Sequence, residues 1–234
     1  MDLKEYISVR RAYNVVRQMT PSEDRLTFEE FAILCRLREA DCPIKTSAIA
    51  EYQGALRPTM THRTNHLFDL DLIERAEGEV DRRNVVCSIS ERGCERVLEL
   101  AGQTRAQIPS GRALSRTSPE RIIKYVDAMG SLYCKAGDLV LLGLYCAETD
   151  SLTIMQIVDA LKLLQPTVSM SVSSLSESGL VVRSHTTGGN HTTSVALTEA
   201  GVEYAQALAE RIESIVVRRR PRNSESVDEG QTQS

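Results

Sequence analysis

Leu56-Arg57-Pro58-Thr59-Met60-Thr61-His62-Arg63-Thr64-Asn65-His66-Leu67 combines a helical apolar spacing with a one-sided charge balance. Proline costs little in a first helical turn, where its missing N–H would have no helical acceptor. Met60, Thr64 and Leu67 fall on one stripe, so a helix over Pro58–Leu70 is expected, with that stripe buried. Thr59, Thr61, His62, Asn65 and His66 then point outward or to the flank. From Arg57 to His66 there is no carboxylate. Leu72–Glu77 and Asn84–Ile89 follow as short strands, joined by a charged loop, Gly78–Arg83, that carries Asp81-Arg82-Arg83. Ser90 with Glu91 opens another helix, through about Leu100.

Upstream, Thr27 with Glu30 three residues on is a capping box. It opens a helix to about Arg38, with Phe31, Leu34 and Leu37 inward, ended by Asp41-Cys42-Pro43. Thr46–Tyr52 is a short helix closed by the turn Gln53-Gly54. Before all of these, Tyr6–Met19 places Ile7, Val9, Tyr13 and Val16 at helical spacing, and Pro21-Ser22-Glu23-Asp24 breaks it. Helix, helix, helix, hairpin, helix is the order of a winged helix-turn-helix, mainly α with small β-wings (α+β).

The pattern recurs. Phe31–Gln103 lies over Leu139–Arg211 without a gap, at a shift of 108 positions. Leu56, Pro58 and Thr59 fall on Leu164, Pro166 and Thr167, and Leu67, Leu72 and Arg75 on Leu175, Leu180 and Arg183. Ile89-Ser90-Glu91 with Gly93 falls on Leu197-Thr198-Glu199 with Gly201. A shared period of this length points to two related domains, each with its own core. The second set of elements is expected at Ala136–Glu148, Thr153–Leu163, Pro166–Ser178, Leu180–His185, Thr192–Leu197 and Thr198–Val217. The expected division is residues 1–106, a linker at 107–118, a second, degenerate domain at 119–217 opened by the helix Pro119–Tyr133, and a polar, disordered tail at 218–234.

At 234 residues and a net charge of -4, the chain has room for two small domains and no global basic field. Nucleic-acid binding would have to rest on a local patch. No run is long enough to span a membrane, and Met1-Asp2-Leu3-Lys4-Glu5 is no signal peptide, so a cytoplasmic protein is expected. The six cysteines form no C-x-x-C pair and suit buried or idle thiols, with a redox role for Cys35 or Cys42 left open.

A helix entering a major groove needs short polar or basic side chains and no acids on its outer face. Arg57, Thr59, Thr61, His62, Arg63, Asn65 and His66 meet that need, the arginines as phosphate contacts and the others toward base edges. Arg82 and Arg83 can enter a narrow minor groove, and Asp81 can orient the Arg83 guanidinium. The bland alternatives are a polar surface helix and a solvated turn with a weak ion pair. The second copy has lost these groups. Pro166–Ser178 carries no basic residue, and Gly189-Asn190-His191 replaces Asp81-Arg82-Arg83. Thr167, Ser169, Ser171, Asn190 and His191 leave it only a weaker contact.

Leu56-x-Pro58-Thr59-Met60-Thr61-His62, Leu72-Ile73-x-Arg75, Asp81-x-Arg83 and Ser88-Ile89-Ser90-Glu91-x-Gly93 resemble the MarR family of transcriptional regulators. The duplication is similar to that family's two-domain, Sar-type members, in which one polypeptide imitates a homodimer. The strong resemblance covers about Thr27–Leu100 and the weaker one about Leu139–Leu208. It implies a winged-helix fold and operator binding to double-stranded DNA, with dimerisation through terminal helices. It often also implies a small-molecule or oxidant effector, in a pocket that here would involve Tyr13, Phe28 or Tyr133. By resemblance, Pro58–His66 is the recognition helix and Arg83 the wing arginine. Asp71 departs from the usual glycine of the turn before the wing, and Ile89 and Ser90 from the commoner leucine and threonine.

A tandem winged-helix scaffold that binds proteins and not DNA is the competing class. Catalysis is disfavoured, since no Ser-His-Asp, Cys-His or carboxylate pair has local support. His62 and His66 have a zinc-compatible spacing but no third ligand nearby, so neither metal nor cofactor is expected.

Overall fold

The computed structural model describes residues 1–40, 42–77, 85–185 (without the His185 side chain) and 193–217. Asp81, Arg82, Arg83, Asn190, His191 and the tail 218–234 lie outside the described residues, as does Asp41. No described helix is long and apolar enough to cross a membrane.

Helix α1, Leu3–Met19, starts on Asp2, whose side chain accepts from Lys4 N while Glu5 accepts from Asp2 N. Helix α2, Phe28–Arg38, has the expected capping box: Glu30 N donates to Thr27 Oγ1 (3.2 Å) and Thr27 N to Glu30 Oε2 (2.7 Å). It is buried on almost every side (Phe28, Phe31, Ala32, Ile33, Leu34, Cys35, Leu37) and so shows little amphipathic pattern. Strand β1, Ile44–Lys45, leads into α3, Thr46–Tyr52, and α4, Arg57–Asp69. Strands β2, Ile73–Glu77, and β3, Val85–Ile89, form with β1 an antiparallel sheet of order β1-β3-β2, and α5, Glu91–Ala106, follows.

The second half contains α6, Pro119–Met129; α7, Ala136–Tyr145; β4, Ser151–Thr153; α8, Ile154–Leu161; α9, Gln165–Glu177; β5, Val181–His185; β6, Thr193–Leu197; and α10, Glu199–Glu213. Its sheet runs β4-β6-β5, the same order as the first. Helices α4 and α9 begin and end at the same shift of 108 positions seen in the sequence, as do the hairpin strands that follow them. Strands β1 and β4 are additions to the expected elements. Helix α5 runs past Leu100 to Ala106, whereas α8 stops before Leu163 because Lys162 turns left-handed (φ 53°).

The junction between wing and last helix is built alike in both halves. Ser90 Oγ donates to Asp71 O, and Thr198 Oγ1 to Gly179 O, each at 2.7 Å. A Cβ added at Gly93 or Gly201 would lie 2.0 Å from the carbonyl oxygen of Leu72 or Leu180, so neither position admits a side chain. Asp71 (φ 57°) and Gly179 (φ 72°) share the left-handed turn, which explains the glycine that Asp71 replaces.

The halves share a core where the sequence suggested two. Their buried side chains, from Leu3 to Ile212, form one continuous cluster. The physical reason is an exchange of opening helices. Helix α1 packs on α8 and α10 as well as α5, and α6 packs on α2 and α5. Asn14 Nδ2 donates to Leu161 O (3.0 Å), and Tyr52 Oη donates to Asp127 O (2.9 Å). Arg36 pairs with Asp127 (3.5 Å) and stacks over the Tyr52 ring. Each opening helix therefore steadies the element that precedes the other half's α4 or α9.

Candidate nucleic-acid interface

Helix α4 is amphipathic in an unusual sense: one face is buried, and the other is polar with no carboxylate from Arg57 to His66, before exposed Phe68 and Asp69 end the helix. Met60, Thr64 and Leu67 are fully buried as expected. The Thr64 hydroxyl donates to Met60 O (3.0 Å), so its burial leaves no orphan group. Leu56 caps the helix without a side-chain bond, and the first turn holds no acid, leaving the positive helix end uncompensated next to exposed Arg57. Arg57, Thr59, Thr61, His62 and Asn65 are exposed together along this face.

Arg63 departs from the expected phosphate contact. It is only 9% exposed, with Nη1 donating to Gln53 Oε1 (2.9 Å) and the guanidinium over the Tyr133 ring. Gln53 is itself buried and donates Nε2 to Glu29 O (2.9 Å). The arginine thus locks α4 to the end of α3 and, through Gln53, to the start of α2. Its charge faces the inside of the fold.

His66 is half-exposed and tied down, its Nδ1 lying 2.8 Å from Glu30 Oε1. The other oxygen of Glu30 serves the capping box, so one buried carboxylate orders both α2 and the end of α4. Asn65 is bound from the wing side: Arg75 Nη1 donates to Asn65 Oδ1. The sequence offered no sign of the Gln53, Glu30 and Arg75 contacts, because each joins residues ten or more apart that follow no periodic rule.

In the second half, Thr167, Ser169 and Ser171 are half-buried on α9, and Met170 is 74% exposed where α4 carries His62. Arg183 donates to Ser173 Oγ, repeating the Arg75–Asn65 contact. Helix α9 presents no cation.

Tyr13, Phe28 and Tyr133 line one cavity of about 260 Å³ with Arg10, Lys135 and Leu139. Arg10 is buried against the Phe28 ring (4.1 Å) and donates to Cys134 O. Burial pushes the Cys35, Cys87 and Cys134 thiols up, which removes the thiolate that oxidant chemistry needs. Cys42 and Cys146 are exposed.

Residues 26–85 match the MarR family model. A comparison with curated proteins finds no match. Among solved structures, the chain is similar to the MepR–DNA complex of S. aureus, with 25% identity over 34% of this chain and 64% of that one, at a TM-score of 0.31. It thus spans less than two thirds of that protein. MepR of Staphylococcus aureus, a transcription regulator of the multidrug efflux pump MepA, aligns at 19% identity over 52% of this chain and 72% of that one (TM-score 0.32). Bordetella bronchiseptica BpsR, whose DNA binding is regulated by 6-hydroxynicotinic acid, aligns at 21% identity over 52% and 76% (TM-score 0.31). The matched residues 26–85 hold α2, β1, α3, α4 and β2.

Proposed function

We propose that this chain is a sequence-specific DNA-binding transcriptional regulator in which the first half reads the operator. The second half is its covalently linked dimer partner. The carrying observation is the exposed row Arg57, Thr59, Thr61, His62 and Asn65, free of carboxylates, set against an α9 that offers no cation. In this reading α4 enters the major groove and Arg83, oriented by Asp81, enters the adjacent minor groove. Arg82 adds to the wing's charge, while Asn190 and His191 make a lesser contact. Gel shifts on the chain's own upstream region test the asymmetry. Arg83→Ala is expected to weaken binding far more than His191→Ala, and equal losses would overturn it.

A small aromatic acid is the effector class that suits the cavity of Tyr13, Phe28 and Tyr133, with Lys135 as its cation, since Arg10 is already paired with Glu29 (3.6 Å) in the same lining. Titrating such acids against the preformed DNA complex checks this, and failure of any to release DNA counts against it. The scaffold reading draws on one observation, the exposure of Met170 (74%) and Met155 (59%) on the second half. It would prevail if no duplex were retained from a random pool even at low salt.

A further inference from the structure

Arg75 decides what Asn65 can offer to DNA. A guanidinium donates hydrogen bonds and accepts none. The Asn65 amide must therefore turn Oδ1 toward Arg75 Nη1, and its Nδ2 has no hydrogen-bond partner among the described residues. Asn65 is exposed on the same face as Thr61 and His62, one helical turn before it. Arg75 sits on β2 opposite Cys87 of β3 and lines a cleft with Arg57, Met60 and Thr61, so its guanidinium approaches α4 from a fixed strand.

An unrestrained asparagine in a major groove pairs with adenine through both amide atoms, accepting from N6 and donating to N7. Here one lone pair of Oδ1 is taken by Arg75, and the amide is held with that atom toward β2, which leaves Nδ2 as the group free for a base edge. We infer that Asn65 is a donor-only reader: it selects guanine, whose N7 and O6 are both acceptors, over adenine, and it disfavours cytosine, whose N4 is a donor. Arg75 is the positioning residue that sets this preference without touching the base. This rests on the DNA-binding reading above and names the base edge that reading leaves open. In the second half the same geometry holds Ser173 against Arg183, where a single hydroxyl takes the place of the amide. The duplication keeps the clamp and drops the group that reads.

The test is selection of bound duplexes from a randomised pool by the full chain, then anisotropy titrations on all single-base variants of the best site. Asn65→Ala locates the position that Asn65 reads, where base preference flattens. The native chain is expected to favour guanine over adenine there by about five-fold, the weight of one hydrogen bond. Asn65→Asp keeps an oxygen for Arg75 and exchanges the free donor for an acceptor. It should invert the order toward cytosine and adenine. Arg75→Met, which frees Oδ1, should move the preference from guanine to adenine, read as the ratio of the two affinities so that a uniform loss from the missing charge cancels. If Arg75→Met fails to fold, the Asn65→Asp inversion decides alone. Adenine favoured over guanine by the native chain, or no position flattened by Asn65→Ala, would overturn the inference while leaving DNA binding intact. Failure to select any duplex would overturn both.

Discussion

Replacing Arg63 by methionine separates a buried structural arginine from a phosphate contact. The native guanidinium donates to Gln53 Oε1 at 2.9 Å and lies 5.6 Å from the centroid of the Tyr133 ring. Methionine fills most of the same volume but donates nothing. Gln53 is 3% exposed, so its Oε1 would lose its partner with little access to water. An orphaned buried acceptor costs about 1–3 kcal/mol, and the lost cation–ring contact about 0.5–1. With some return from the apolar methionine, a loss of about 2 kcal/mol is expected. For a protein of this length that lowers Tm by about 4–8 °C. Urea unfolding supplies the stability change, and anisotropy titrations across a salt series supply the slope of log K against log salt. Arg63→Met should leave that slope unchanged. Exposed Arg57→Met should reduce the slope by about 1 while changing stability by less than about 0.5 kcal/mol. If Arg63→Met unfolds like the native chain and cuts the slope instead, Arg63 is a phosphate contact and its inward placement is wrong.

Other perturbations follow from the same geometry. Gly93→Ala forces a Cβ to within 2.0 Å of Leu72 O, and should cost about 3 kcal/mol or more by thermal unfolding; a native-like Tm would contradict the packing of that junction. Asp71→Gly relieves a left-handed residue (φ 57°) and should stabilise by about 0.5–1 kcal/mol in urea unfolding, DNA affinity unchanged. Alkaline pH should weaken the fold. Burial raises the folded-state pKa of Tyr6, Tyr13, Cys35 and Cys134, so these groups stay protonated in the fold while their unfolded counterparts ionise from about pH 8.5 upward. Their contribution is complete below that pH and is lost as pH rises, by up to about 1.4 kcal/mol per pH unit for each group. Urea midpoints from pH 8 to 11 under reductant should fall, and a flat profile would mean that these side chains reach water.

Local chemistry was legible in the sequence because it is local. Thr27 with Glu30 predicts a capping box, and the box forms; Pro58 and the stripe of Met60, Thr64 and Leu67 predict α4 to within a residue at either end. Strands β1 and β4, at two and three residues, are too short to show a period, and they exist because β3 and β6 offer them an edge. The inward turn of Arg63 depends on Gln53 and Tyr133, and the tether of His66 on Glu30. No spacing rule connects those residues. The amphipathic pattern of Tyr6–Met19 shows that α1 must bury a face, but not that it also packs on α8 and α10, more than a hundred residues away. The shared core was hidden for the same reason.

The direct test of the asymmetric reader places one carboxylate at equivalent positions of the two helices, Thr61→Glu on α4 and Ser169→Glu on α9. Both are measured against the best duplex selected by the native chain. A negative charge brought against phosphate and base edges opposes binding by several kcal/mol. Thr61→Glu should therefore lower affinity by about 30-fold or more, with urea stability retained. Ser169→Glu should change affinity by less than about threefold. Equal losses from the two substitutions, or a larger loss from Ser169→Glu, would contradict the assignment of operator reading to the first half.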